Sequence, residues 1–266
     1  MVICAAMRHL LRGSHVCGSW ASIFSRMWQR QVSGRVYTEL DFDQEEIKAK
    51  LLGFPGGAIE LSKQESGIAV LTINNPSRMN AFSGSMMVQL EEKNALTRLL
   101  RLPMISVALV EGRAVGGGAE LTTACDFRLM APGSVVQFVH KHLGVVPGWG
   151  GAARLVHLVG SQNSLKLLSG ASKVDPEFGI QIRLADGVLK DPQVEEGVGT
   201  VLQQAEKWLS HYTTGPPSVI QAIKKVALSG RELSLVEALR TEKQVFGTVW
   251  GGPANLQALT SKSKYK

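Results

Sequence analysis

A chain of 266 residues that is 44% hydrophobic and 19% charged has ordinary globular composition, with length for one large or two small domains. No apolar run is long enough to cross a bilayer. The cysteines Cys4, Cys17 and Cys125 lack metal-ligand spacing and fit a reducing compartment better than a disulfide framework. The net charge of +7 is unevenly held, because Arg8, Arg12, Arg26, Arg30 and Arg35 supply +5 before the first acid, Glu39. The rest of the chain is nearly neutral and offers no nucleic-acid surface.

Residues 1–38 therefore read as a basic leader, with the arginine- and serine-containing, acid-free composition of a mitochondrial transit peptide or of a disordered extension. Either reading puts them outside the fold. Residues 39–200 form the expected core and residues 201–266 a helical C-terminal region. A charged helix over 40–50 comes first, followed by a turn and strand in "GFPGGAIEL" (53–61) and a second strand in "GIAVLTINN" (67–75), stopped by Pro76. After the loop "PSRMNAFSG", Met86, Leu90, Leu96, Leu99 and Leu100 fall near helical spacing, and Pro103 ends the helix. "MISVALVEG" (104–112) is a strand apolar enough to be buried on both faces.

Three consecutive glycines, Gly116, Gly117 and Gly118, come next, then a helix from Ala119 to about Cys125. Residues 127–140 contain two short strands across a Pro-Gly turn. A glycine-rich loop opens a helix within 143–160, and a further short helix ends at a Gly170 cap. Three helices separated by Gly-Pro-Pro and Ser-Gly breaks complete the chain. The plan is α/β in the first two-thirds and helical at the end.

A glycine run between a strand and a helix leaves main-chain N–H groups free at the helix start, where negative charge is favoured. Contiguous rather than spaced glycines fit a dinucleotide fingerprint poorly, and without a following lysine they are no P-loop. Two readings stay open on spacing alone: an oxyanion hole, or a tight turn with close helix packing.

"RAVGGGAELTTACDFRLM", "NNPSRMNAFS" and "GVVPGWGGAARLV" occur in an order that resembles the crotonase (enoyl-CoA hydratase/isomerase) superfamily. The resemblance covers residues 59 to 266. It implies a spiral core of ββα units with a helical C-terminal portion for oligomerisation and coenzyme A binding. It also implies an acyl-CoA thioester substrate, no separate cofactor, no metal, and a homotrimer or homohexamer. Within the superfamily the likeness is to decarboxylating members, which implies loss of CO2 from ethylmalonyl-CoA or methylmalonyl-CoA to give butyryl-CoA or propionyl-CoA.

Residue by residue, the resemblance makes the amide of Gly117 the donor to the thioester oxygen, between Gly116 and Gly118. Glu120 matches the first catalytic acid of the hydratases; a first-turn acid also suits the helix dipole. The second acid's place is taken by His140, which disfavours hydration and fits a lyase; the imidazole could equally be a packed or solvent-facing member of "HKH". Trp149 is expected to wall the acyl pocket. Arg78, Met79 and Asn80 match the loop along the coenzyme, and Phe246 with Lys262, Lys264 and Lys266 the nucleotide end.

One departure stands out. "VQLEEK" runs straight into "NALTRLLRLP", with no buried strand and no loop carrying the family's second oxyanion amide. The core is thus expected to lack one strand-loop segment and to expose the edges of the neighbouring strands. Three readings follow: a working decarboxylase, a weakened or inactive CoA-binding variant that hetero-oligomerises, or an enoyl-CoA hydratase/isomerase, the last disfavoured by His140. The resemblance implies the cytosol, whereas the arginine leader suggests the mitochondrial matrix.

Overall fold

The structure, a computed structural model, describes residues 2–6, 44–78, 80–92 and 98–261. Val2–Ala6 forms β1. After Gln44–Leu52 (α1), Ala58–Lys63 (β2) and Ile68–Asn74 (β3) pair as an antiparallel hairpin. A 3-10 turn, Pro76–Arg78, leads to Gly84–Glu92 (α2), and another, Leu99–Arg101, precedes Ile105–Val110 (β4). Arg113–Val115 (β5), Gly117–Thr122 (α3), Phe127–Met130 (β6) and Val135–Gln137 (β7) follow closely. His140–Leu143 is a 3-10 helix, and Gly151–Gly170 (α4) is interrupted at Gly160. Lys173–Val174 (β8), Pro176–Gln181 (α5) and Gly187–Val188 (β9) are short. The C-terminal region holds Val201–Thr213 (α6), Pro217–Glu232 (α7), Leu235–Val249 (α8) and Pro253–Thr260 (α9).

The strands form two sheets. The six-stranded one has the order β2-β3-β1-β4-β6-β9, and the three-stranded one the order β5-β7-β8. β4, β6 and β9 run parallel, as do β5 and β7. Alternation between two cores explains why β4 is apolar at every position but Ser106. Ala108 and Val110 join the larger core with Met86, Leu90, Leu121 and Phe138, while Val107 and Leu109 face a second core with Ala205 and Leu209 of α6. Side-chain caps set the helix starts: Thr200 and Ser234 each close a capping box, with Gln203 and Glu237, and Asp175 accepts from the Phe178 amide at 2.8 Å.

The expected elements are present with shifts that tertiary bonds explain. The helix ending at Gly170 carries its left-handed residue at Ala171 (φ 48°) instead, whose carbonyl accepts from Gln137 Nε2 at 2.8 Å. The chain also leaves the third strand earlier than its apolar run suggests, and β5 joins the second sheet before the glycines begin. α9 was absent from the expected set. Leu96 lies outside the described residues.

Two expectations are corrected. Residues 2–6 are not outside the fold: β1 lies between β3 and β4, antiparallel to both. The edges of β3 and β4 are therefore paired rather than exposed. The leader's overall composition concealed "VICAA", an apolar run one strand long that opens with two β-branched residues. The five arginines of residues 1–38 lie outside the described residues.

A buried lysine and a partly buried aspartate tie the helical region to the sheet. Lys224 on α7 donates through Nζ to Asp126 Oδ2 at 2.8 Å and to the Met104 carbonyl, and the same Asp126 oxygen accepts from the Ser106 amide at 2.7 Å. Beside them the Cys125 thiol is fully buried, which pushes its pKa up to about 12 and leaves it protonated and unreactive. Replacing Lys224 by Met is expected to strand Asp126 and cost about 2–3 kcal/mol, below the fully buried case because Asp126 retains some water. Urea unfolding of Lys224→Met, Asp126→Asn and the double variant, with the double less harmful than the sum, checks this.

Candidate active site

The glycine run does what its position between strand and helix requires. Gly116 caps α3 with φ 57° and ψ −120°, a backbone that only glycine adopts without strain. Its amide donates to the Gln137 carbonyl at 3.0 Å, anchoring the turn to β7. Gly117 is the first residue of α3, so its N–H has no acceptor within the helix, and none outside it among the described residues. The absence of a side chain there is also a packing need, since a Cβ on Gly117 would lie 2.6 Å from Trp149 Cζ3 and 3.3 Å from Phe82 Cδ2. Gly118 is buried one step further along.

Phe82 and Trp149 meet edge to face, ring centroids 5.2 Å apart at 78°. They form an apolar wall beside the unpaired amide. Trp149 holds its place through main-chain bonds to a buried acid. Glu120, 3% exposed, accepts through Oε2 from the amides of Trp149 at 2.8 Å and Gly151 at 3.0 Å. Its Oε1 meets His140 Nε2 at 2.8 Å and the Gly148 amide at 3.4 Å. Both oxygens are thus occupied. With Nε2 turned to the carboxylate, the buried Nδ1 of His140 is left with no hydrogen-bond partner among the described residues.

Arg154 completes the arrangement, and the sequence reading did not assign it to the site. Its Nε donates to Thr123 Oγ1 at 3.0 Å, and its Nη2 donates to the Trp149 carbonyl at 2.7 Å. Burial pulls the guanidinium below its ordinary range, with Glu120 opposing that shift. A signal was available: an arginine in the first turn of a helix opposes the helix dipole and needs compensation elsewhere. Phe82 offered no comparable sign.

The structure brings together Gly116, Gly117, Gly118, Glu120, His140 and Trp149. The remaining expected residues stand apart from them. Arg78 is exposed in its 3-10 turn, and Met79 lies outside the described residues, as do Lys262, Lys264 and Lys266. Asn80 (φ 56°) shapes its own loop, its Oδ1 accepting from the Asn75 amide at 2.7 Å. Phe246 lies half-exposed on α8 with its ring 5.1 Å from that of Trp250. Among the described residues no hydrogen bond or ring contact joins Arg78, Asn80 or Phe246 to the Glu120 group. A cavity of about 380 Å³ between α7 and α8, bordered by Arg101, Lys225 and Gln244, shares no lining residue with it either. No cluster of three or more side chains able to hold a metal occurs among the described residues.

Glu120→Gln tests the carboxylate's organising role. One oxygen becomes an NH2 group, so either the Trp149 and Gly151 amides or the His140 side loses its acceptor. The expected cost is about 1–3 kcal/mol of folding stability, read by denaturant unfolding, together with a change in Trp149 fluorescence.

Residues 87–252 match the enoyl-CoA hydratase/isomerase family. The chain is 56% identical to ethylmalonyl-CoA decarboxylase of Danio rerio over 270 residues, covering 83% of this chain and 88% of that protein. It is 45% identical to ethylmalonyl-CoA decarboxylase of Homo sapiens over 276 residues, covering 86% and 89%. An alignment of 270 positions that covers only 83% of 266 residues leaves roughly fifty positions of the relative without a counterpart here. Among solved structures, an enoyl-CoA hydratase from Bacillus anthracis superposes with a TM-score of 0.63 at 18% identity, covering 79% of this chain and 96% of that one. An enoyl-CoA hydratase described from Thermobifida fusca, solved in complex with acetoacetyl-CoA, superposes at 0.54 and 22% identity, covering 65% and 68%. The chain that builds this glycine turn, buried carboxylate and tryptophan wall belongs to the enoyl-CoA hydratase/isomerase (crotonase) family.

Proposed function

We propose that this chain is an acyl-CoA decarboxylase that removes CO2 from ethylmalonyl-CoA, and less readily from methylmalonyl-CoA, giving butyryl-CoA or propionyl-CoA. Relatives of that name at 45–56% identity support the substrate class. The observation that carries the chemistry is the unpaired Gly117 amide beside the Trp149 and Phe82 rings. When the bond between the α-carbon and the carboxylate breaks, its electron pair enters an enolate shared with the thioester oxygen. A preorganised N–H at that oxygen lowers the barrier by about 2.7–4 kcal/mol. The apolar wall disfavours the charged carboxylate relative to neutral CO2. The α-carbon then takes a proton to give the product thioester.

Within this reading Glu120 holds the loop and His140, because its oxygens are already engaged. His140, with Nδ1 uncommitted, attends the departing carboxylate or the proton transfer. Hydration of an enoyl thioester calls for two acids handling water, and among the described residues Glu120 is the one carboxylate bonded to His140 and the Trp149 loop. The protein assembles as a homotrimer or homohexamer, a reading supported by an exposed stripe on one face of α8 formed by Leu235, Leu239 and Phe246, with Trp250 just past its end. The cytosol is the proposed location, with import into the mitochondrial matrix as the alternative. The positions missing relative to the relatives favour one second reading, a CoA-binding variant with little turnover.

Purified protein given ethylmalonyl-CoA is expected to release CO2 and form butyryl-CoA. Folded protein that binds CoA yet shows no turnover would replace the first reading with the second. His140→Asn is expected to lower kcat by about 10²–10⁴-fold with a smaller effect on KM, measured by the same CO2 assay.

A further inference from the structure

The main-chain groups of β3 and β4 that face one another need a strand between them. β1 fills that place: Val2 lies opposite Thr72 and Leu109, Cys4 opposite Val70 and Val107, and Ala6 opposite Ile68 and Ile105. Without it, β3 and β4 would stand two strand spacings apart, about 9.6 Å, with unpaired N–H and C=O groups on both sides. Water could not satisfy those groups. Val107, Ala108, Leu109 and Val110 are all fully buried, alternately in the two cores, and Val70 and Leu71 flank the same gap from β3.

The described residues between β3 and β4 do not supply the strand. Its described elements are two 3-10 turns and α2, and the relatives carry roughly fifty positions that this chain lacks. β1 instead comes from the far end of the sequence, separated from the next described element by residues 7–43. It enters antiparallel to two strands that are parallel to one another.

We infer that the slot between β3 and β4 is a strand-acceptor site for an extended apolar peptide, and that its occupant is residues 2–6 of this chain. The recognition is β-augmentation on both edges at once: main-chain hydrogen bonds supply the affinity, and the buried flanks exclude water and charged segments. The occupant is separated in sequence from both of its partner strands, so a peptide of residues 1–6, MVICAA, which contains the five-residue strand, binds from solution when the chain's own strand is disabled. The occupied slot also fixes the spacing of β3, which leads into the Asn75–Asn80 loop, and β4, which leads toward β5 and the glycine turn. This holds whatever reaction the site performs.

Full-length protein carries the test. Proline at Cys4 removes a ladder donor in a central strand, whereas valine keeps the strand. Cys4→Pro is expected to lower Tm by about 10 °C or more, and Cys4→Val to leave it near wild type. In wild-type protein, hydrogen exchange is expected to show protected amides at 2–6, 69–72 and 105–109, all of which lose protection in Cys4→Pro. Added MVICAA peptide is expected to restore much of the lost Tm. Rapid exchange of amides 2–6 in wild-type protein, equal melting of the two variants, or a peptide without effect on Cys4→Pro would each overturn the inference. If Cys4→Pro fails to fold, exchange in wild type and Cys4→Val still decides it.

Discussion

The carboxylate of Glu120 organises the site because it is buried and almost wholly enclosed by donors. Its two oxygens draw together three stretches that are separate in the chain: the first turn of α3, the His140 turn, and the loop from Gly148 to Gly151. A carboxylate removed from water is costly unless such donors replace its hydration, so the loop cannot move away without exposing that cost. The constraint extends outward. Gly151 packs so closely on Glu120 that a Cβ there would overlap its side chain, and Arg154 fastens the Trp149 carbonyl from the opposite side. The tryptophan ring is thereby held against Gly117, where the amide remains unpaired.

Such an arrangement suits a reaction whose difficulty is a developing negative charge. An apolar wall and a main-chain donor are rigid, and they need little rearrangement when electrons move onto the thioester oxygen. A carboxylate already engaged by amides is a poor proton shuttle but a good clamp. The division of labour proposed here follows from that: a carboxylate that positions, an imidazole with one free nitrogen, and a backbone amide that meets the charge.

The sequence made legible whatever is written in local chemistry. The alternation and β-branching of residues 68–74, the largely apolar run of β4, and the capping residues Thr200 and Ser234 each mark an element where it occurs. The glycine run marked the turn at the start of α3, around which the candidate site is built. Bonds between distant residues were not legible. Ala171 takes its left-handed backbone where Gln137 reaches its carbonyl, and Arg154 matters through Thr123 and Trp149 rather than through neighbours on its own helix. β1 was hidden for a related reason. Five apolar residues at the head of an arginine-bearing segment say little until two partners, more than sixty positions downstream, present matching edges.

The smaller sheet has a consequence for the order in which the protein is made. β5 reaches the glycine turn within one residue, and its place depends on β7, which in turn is closed by Lys173 and Val174 of β8. A chain emerging from the ribosome therefore exposes Gly117 well before the ribbon that steadies it is complete. The Gly117 amide gains its fixed direction only after some sixty further residues have been synthesised, so the finished glycine turn is a late product of translation rather than an early nucleus of folding.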